Sequence, residues 1–197
     1  MPRTREFDEQ AVLARARDLF WERGYSATSI KDLETHLGIS RSSLYQTFGD
    51  NRALYDRTLM MYQEESLGAL RKALSAGSDL RTTLTEMMTQ AALTEHKDCA
   101  TGSRGCYVVN ATTEMANSCS EALGFVAKNR ESFVAIMAEA LARAQVQGEV
   151  QKQSEPTELA NYLFICYTGL QVVVQTGIER QQLVRAVEQA ISGLPWT

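Results

Sequence analysis

The sequence predicts an all-α protein of about nine helices, and three observations lead there. Apolar residues recur at three- and four-residue spacing through almost the whole chain. Three prolines and twelve glycines in 197 residues are too few for the many turns of an all-β fold. No segment shows convincing period-two alternation, and only Val172-Val173-Val174 has local β propensity. The 44% hydrophobic content and formal net charge of −4 are those of a globular chain rather than a disordered one.

Each element has its own signal. Asp8 is a good N-cap for a first helix carrying Ala11, Leu13, Ala14, Leu19 and Phe20 inward, with Phe7 and Val12 placed for a hydrophobic staple, and Gly24 suits its left-handed end. A short second helix spans about Ser29 to His36, with Ile30, Leu33 and Leu37 as its stripe, and Gly38 breaks it. A third opens at Ser40 and turns Leu44 and Phe48 inward. Asp50 caps a longer fourth through Leu54, Leu59, Tyr62 and Leu67. After the loop at 76–79, a helix runs from Leu80 to about His96, and Cys99 to Gly105 reads as a loop. Tyr107 to Met115 forms a short helix. Ser118-Cys-Ser-Glu121 looks like a capping box opening a long helix that Gly148 ends. Pro156 starts a nearly all-apolar helix through Val174, and Arg180 to Ile191 forms the last.

Composition excludes several function classes. The longest apolar run, Tyr162 to Tyr167, is far below the ~20 residues of a membrane span. Met1-Pro2-Arg3-Thr4-Arg5-Glu6 lacks the apolar core of a secretory signal, so a cytoplasmic location is expected. Cys99, Cys106, Cys119 and Cys166 include no C-x₂-C pair, and with only His36 and His96 as imidazoles neither a metal site nor a cofactor is expected. The signatures G-x-G-x-x-G, G-x-x-x-x-G-K-[ST], H-E-x-x-H and G-x-S-x-G are all absent. No catalytic residues are therefore predicted. Charge is uneven: residues 1–60 hold nine basic and nine acidic side chains, leaving the excess of acid in the remainder. A neutral front on an acidic body suits a front that meets a polyanion.

The segment Thr28 to Phe48 carries the functional signal. Two short helices flank a tight turn at Leu37-Gly38-Ile39, with Leu33, Leu37, Ile39 and Leu44 clamping them. Arg41 and Tyr45, and Ser42 and Gln46, lie four residues apart and share one outer face while Leu44 and Phe48 point inward. Arg and Gln offer bidentate groups to guanine and adenine edges, while Ser and Tyr reach phosphates. Spacing alone leaves an ordinary helical hairpin with a solvated face equally open.

The run Gly24-Tyr25-Ser26-Ala27-Thr28-Ser29-Ile30, followed by Leu37-Gly38-Ile39-Ser40-Arg41-Ser42-Ser43-Leu44-Tyr45-Gln46-Thr47-Phe48-Gly49-Asp50, resembles the DNA-binding signature of the TetR/AcrR family of bacterial transcriptional regulators. The resemblance implies a helix-turn-helix DNA-binding domain over residues 1–52 and a divergent ligand-binding and dimerisation domain over 53–197. It further implies a two-fold dimer on an inverted-repeat operator in double-stranded DNA, with paired third helices one helical turn of DNA or more apart. Thr28, Ser40, Arg41, Ser42, Ser43, Tyr45, Gln46, Asn51 and Arg52 are the implied DNA contacts. Arg3 and Arg5 in a mobile arm would add phosphate or minor-groove contacts, or simply form a disordered tail. The chain departs from the family at Glu34, where a small residue is common, and at Asn51, where lysine is common.

The resemblance also implies release from DNA by a small-molecule effector held among the fourth to eighth helices. Candidates are Tyr62, Met88, Cys106, Tyr107, Asn110, Met137, Tyr162 and Tyr167, each of which reads more readily, taken singly, as core filling at helical spacing. The lack of a charged cluster among them favours an apolar or aromatic effector. Cys106, after Arg104 and Gly105 at a loop-to-helix transition, is the candidate for a thiol that senses electrophiles or oxidants. The last two helices carry Leu163, Phe164, Leu170, Val173, Val174, Leu183, Val187 and Ile191, too apolar for one packed face, and the resemblance assigns part of that surface to the homodimer. The rivals are an all-α enzyme and a helical adaptor whose hairpin meets protein.

Overall fold

A computed structural model describes residues 7–76, 79–95, 103–115 and 120–197, which form nine α-helices. They are α1 (Glu9–Arg23), α2 (Ile30–Leu37), α3 (Arg41–Phe48), α4 (Asn51–Ala76), α5 (Leu80–Leu93), α6 (Tyr107–Met115), α7 (Ser120–Gln147), α8 (Pro156–Val173) and α9 (Arg180–Ser192), with a 3-10 turn at Val174–Thr176 between the last two. Among the described residues no strand forms, and the one β-type pairing is an isolated antiparallel bridge between Val150 and Trp196. The Val172-Val173-Val174 run stays helical. The expected capping box at 118–121 lies outside the described residues in part, as do His96, Cys99 and Cys119. No described helix is long and apolar enough to cross a membrane.

The chain divides into two compact units, Met1–Glu64 and Glu65–Thr197. The expected boundary at 52/53 therefore falls inside the first unit. The reason is the opening of α4, where Leu54, Tyr55 and Leu59 are buried. Tyr55 meets the Phe20 ring edge-on with centroids 5.0 Å apart, and Tyr25 completes the trio at 4.9 Å from Tyr55. Three helices of this size bury little apolar surface by themselves. The start of α4 supplies the missing wall.

The second unit is built on Leu84, Met88, Met137, Leu141, Leu163, Leu170, Val187 and Ile191. Helices α7 and α8 pack along each other, and α5 packs on α9. Between α7 and α8 the Phe133 ring stacks on Tyr167 at 5.7 Å and meets Phe164 at 5.4 Å. Glu149 ties this unit together from a loop, since its carboxylate accepts the Leu80 N–H at 2.7 Å and caps α5 alongside Asp79. The C-terminal segment closes on the same loop through Thr197 N–H to the Glu149 carbonyl, 3.1 Å.

Candidate nucleic-acid interface

The interface grows from three capped helix ends. At α2, Ser29 and Asp32 form a reciprocal capping box, in which Asp32 N–H bonds the Ser29 hydroxyl and Ser29 N–H bonds the Asp32 carboxylate at 3.0 Å. The Ser29 hydroxyl also donates to that carboxylate. These two bonds, and then the nearby Arg23 guanidinium, hold the Asp32 carboxyl below the usual aspartate range. Gly38 follows α2 with φ 70° and ψ 23°, a left-handed geometry that a Cβ would strain. At α3, the Ser40 hydroxyl accepts Ser43 N–H at 3.2 Å and lies 3.1 Å from the Ser43 hydroxyl. At α4, Asp50 accepts Ala53 N–H at 2.7 Å.

With its ends fixed, α3 divides as its spacing requires. Leu44 and Phe48 are buried, while Arg41, Ser42, Tyr45 and Gln46 are exposed. The Arg41 guanidinium lies 5.1 Å from the Tyr45 ring centroid, which pre-orders both side chains on the outer face. Ser42 and Gln46 also border an open cleft of about 740 Å³ shared with Phe7, Asp8, Arg15 and Gly38.

Three of the expected contacts are engaged within the protein. Thr28 is buried, and its hydroxyl donates to the Gly24 carbonyl at 2.6 Å. The Asn51 amide turns inward toward the Thr28 carbonyl, 3.5 Å away, rather than outward where a lysine would reach. Arg52 is half-buried, ion-paired with Asp56 at 2.8 Å and 5.9 Å from the Tyr25 ring. Sequence reading also missed two arginines that hold the motif in shape. Arg15 donates to the Leu37 carbonyl at 3.1 Å and to the His36 carbonyl, closing the C-terminal end of α2. Arg57 donates to the Thr47 carbonyl at 3.3 Å and covers the Phe48 ring at 4.8 Å. A basic residue facing a helix C-terminus is a recognisable signal, but only the fold reveals which helix it faces.

The effector candidates scatter. Met88 and Met137 belong to the core of the second unit, and Tyr167 borders it. Cys106 and Tyr107 are buried at the start of α6. The Tyr167 hydroxyl is pushed well above the usual tyrosine range by burial and then by the Cys106 thiol. Asn110 donates to the Arg104 carbonyl at 2.9 Å and accepts from Gln175 at 3.1 Å, pinning the loop before α6 to the turn after α8. Gly105 completes that junction with φ 63°, where a Cβ would collide with the Gln171 carbonyl and the Gln175 amide. Tyr62 instead belongs to the first unit, edge-on to Trp21 at 5.1 Å. Tyr162 stands exposed on α8 with its hydroxyl 3.4 Å from the Ala190 carbonyl. Among the described residues no cluster of three or more His, Cys, Asp or Glu is arranged to hold a metal.

Residues 12–58 match the profile of the bacterial regulatory proteins, tetR family. The chain is 29% identical to the uncharacterized HTH-type transcriptional regulator YezE of Bacillus subtilis over 195 residues, covering 98% of this chain and 100% of that protein. The 12–58 segment is a TetR-family domain. Two further relatives agree with that assignment. One is the HTH-type transcriptional repressor ComR of Escherichia coli, 23% identical with 93% of this chain and 87% of that protein covered. The other is a solved structure of a cysteine mutant of the TetR-family regulator CifR with 26-bp double-strand operator DNA. It superposes with a TM-score of 0.84 at 25% identity, covering 98% of this chain and all of the other. That domain makes the α2–α3 pair a DNA-binding helix-turn-helix, and the full-length likeness to regulators makes the chain a transcriptional regulator.

Proposed function

We propose that this chain is a transcriptional repressor that binds an inverted-repeat operator as a homodimer and is released by a small apolar or aromatic effector. The observation that carries it is α3: a helix locked at both ends and along its inner side, with Arg41, Ser42, Tyr45 and Gln46 alone on the outer side. Arg41 and Gln46 read base edges, and Tyr45, Ser40, Ser42 and Ser43 meet phosphates. Arg52 adds charge at the start of α4. Asn51 and Thr28 use their side chains to hold backbone in place rather than to touch DNA. ComR bears the name of a repressor and CifR was solved on operator DNA, and both support this reading. A dimer on an operator blocks polymerase without needing any activating surface.

Met88, Cys106, Tyr107, Asn110, Met137 and Tyr167 are the proposed effector-binding set in the second unit; Tyr62 and Tyr162 lie apart from it. The protein works in the cytoplasm and catalyses no reaction. The test is selection of bound duplexes from a random DNA pool at two salt concentrations. An enriched inverted repeat whose affinity falls steeply with salt is expected, since neutralised phosphates release counterions. A pool without enrichment overturns the reading and restores the bare hairpin.

One observation favours a second route to release. Cys106 is buried at the residue that precedes α6, where its carbonyl accepts Asn110 N–H, so any group added to its sulfur must displace packed neighbours. A quinone would add the sulfur at a ring carbon, with the thiol proton passing to the quinone oxygen. Cys106→Ser should then abolish quinone-triggered release while operator affinity stays intact. Unchanged release rules the thiol out.

A further inference from the structure

Glu34, near the end of α2, bonds both sides of the turn between α2 and α3. Its backbone carbonyl accepts Gly38 N–H at 2.9 Å, and its side-chain Oε1 accepts Arg41 N–H at 2.6 Å. A single residue of α2 thus holds both the left-handed glycine of the turn and the first residue of the reading helix. A carboxylate at a helix N-terminus is favoured by the macrodipole, and a charged acceptor makes the bond strong. Across the same turn Arg15 grips the His36 and Leu37 carbonyls, so the two helix ends are held by charges of opposite sign.

The arrangement also has a cost. The N-terminal end of a helix is an anion site, and here the protein's own carboxylate bonds the first N–H of the reading helix. We propose that Glu34 is a specificity-determining positioning residue: it fixes α3 for base reading and, by its negative charge, weakens attraction to DNA of any sequence. The inference rests on the DNA-binding reading above. It differs from a merely structural role, which would not predict tighter binding to the wrong DNA when the residue is removed.

The experiment compares wild type, Glu34→Ala and Glu34→Gln on two duplexes: the repeat enriched by the wild-type chain, and a scrambled duplex of the same length and composition. Glu34→Ala should bind the scrambled duplex more tightly while losing the ratio between the two duplexes by on the order of tenfold, as for a lost charged hydrogen bond. Glu34→Gln keeps an oxygen acceptor for Arg41 N–H but no charge. It should bind both duplexes more tightly and retain a ratio near wild type. An Ala variant with the wild-type ratio, or a Gln variant that binds the scrambled duplex no tighter than wild type, overturns the inference. If Glu34→Ala fails to fold, the Gln arm decides. Absence of any enriched repeat for wild type overturns the DNA-binding reading itself, whereas an enriched repeat that Glu34→Ala discriminates like wild type overturns this inference alone.

Discussion

At the scale of single residues, the motif is held by side chains whose bonds stay within the protein. Asp32 shows how this ties to pH. Its carboxyl titrates below the ordinary aspartate value because Ser29 donates to it twice and Arg23 lies beside it. A folded-state pKa below the unfolded one stabilises the fold above the unfolded value, and that contribution is lost as pH falls through the folded value. The stability gap between wild type and Asp32→Asn should therefore be constant above about pH 5 and shrink below about pH 4, where the unfolded carboxyl protonates. Thermal melts across that range check it, and a gap unchanged at low pH contradicts it. Ser29 and Asp32 stand at capping-box spacing in the sequence. The roles of Glu34, Arg15 and Arg57 were hidden, because each bond reaches to a partner set by the turn or the helix crossing rather than by local spacing.

At the scale of elements, α8 carries more apolar surface than its own unit can cover. Leu163, Leu170 and Val174 face the core, yet Tyr162, Ile165, Val172 and Val173 remain exposed, Ile165 at 69%. Those four fall on one stripe that also includes Gly169, where an added Cβ would meet nothing within 4 Å. A continuous exposed apolar stripe marks an association surface. Sedimentation at micromolar concentration should give twice the 21.9 kDa chain mass. Ile165→Lys should shift it toward the single chain and weaken operator binding in parallel, while the helical signal is retained. A wild-type chain that sediments alone contradicts the dimer. The surplus on α8 was legible as an apolar run, but which of its residues face outward was not. Period-3.6 patterning fails on a helix that is apolar nearly all round.

At the scale of the whole molecule, helix order and type were legible throughout the described chain, because caps and glycines punctuate it: Asp8, Ser40, Asp50 and Asp79 accept cap bonds, and Gly24, Gly38 and Gly148 have positive φ. The division into units was less legible. A boundary drawn where the motif ends cuts α4 at its start, whereas burial of Leu54, Tyr55 and Leu59 assigns that part of the helix to the first unit. Helix breaks are written in local chemistry, but unit borders depend on which side chains meet. The stripe on α8 carries a consequence for the cell. A regulator that must pair before it can bind responds to its own abundance at second order. Where free chains outnumber pairs, halving expression lowers operator occupancy roughly fourfold, so modest changes in gene dosage become steep changes in control.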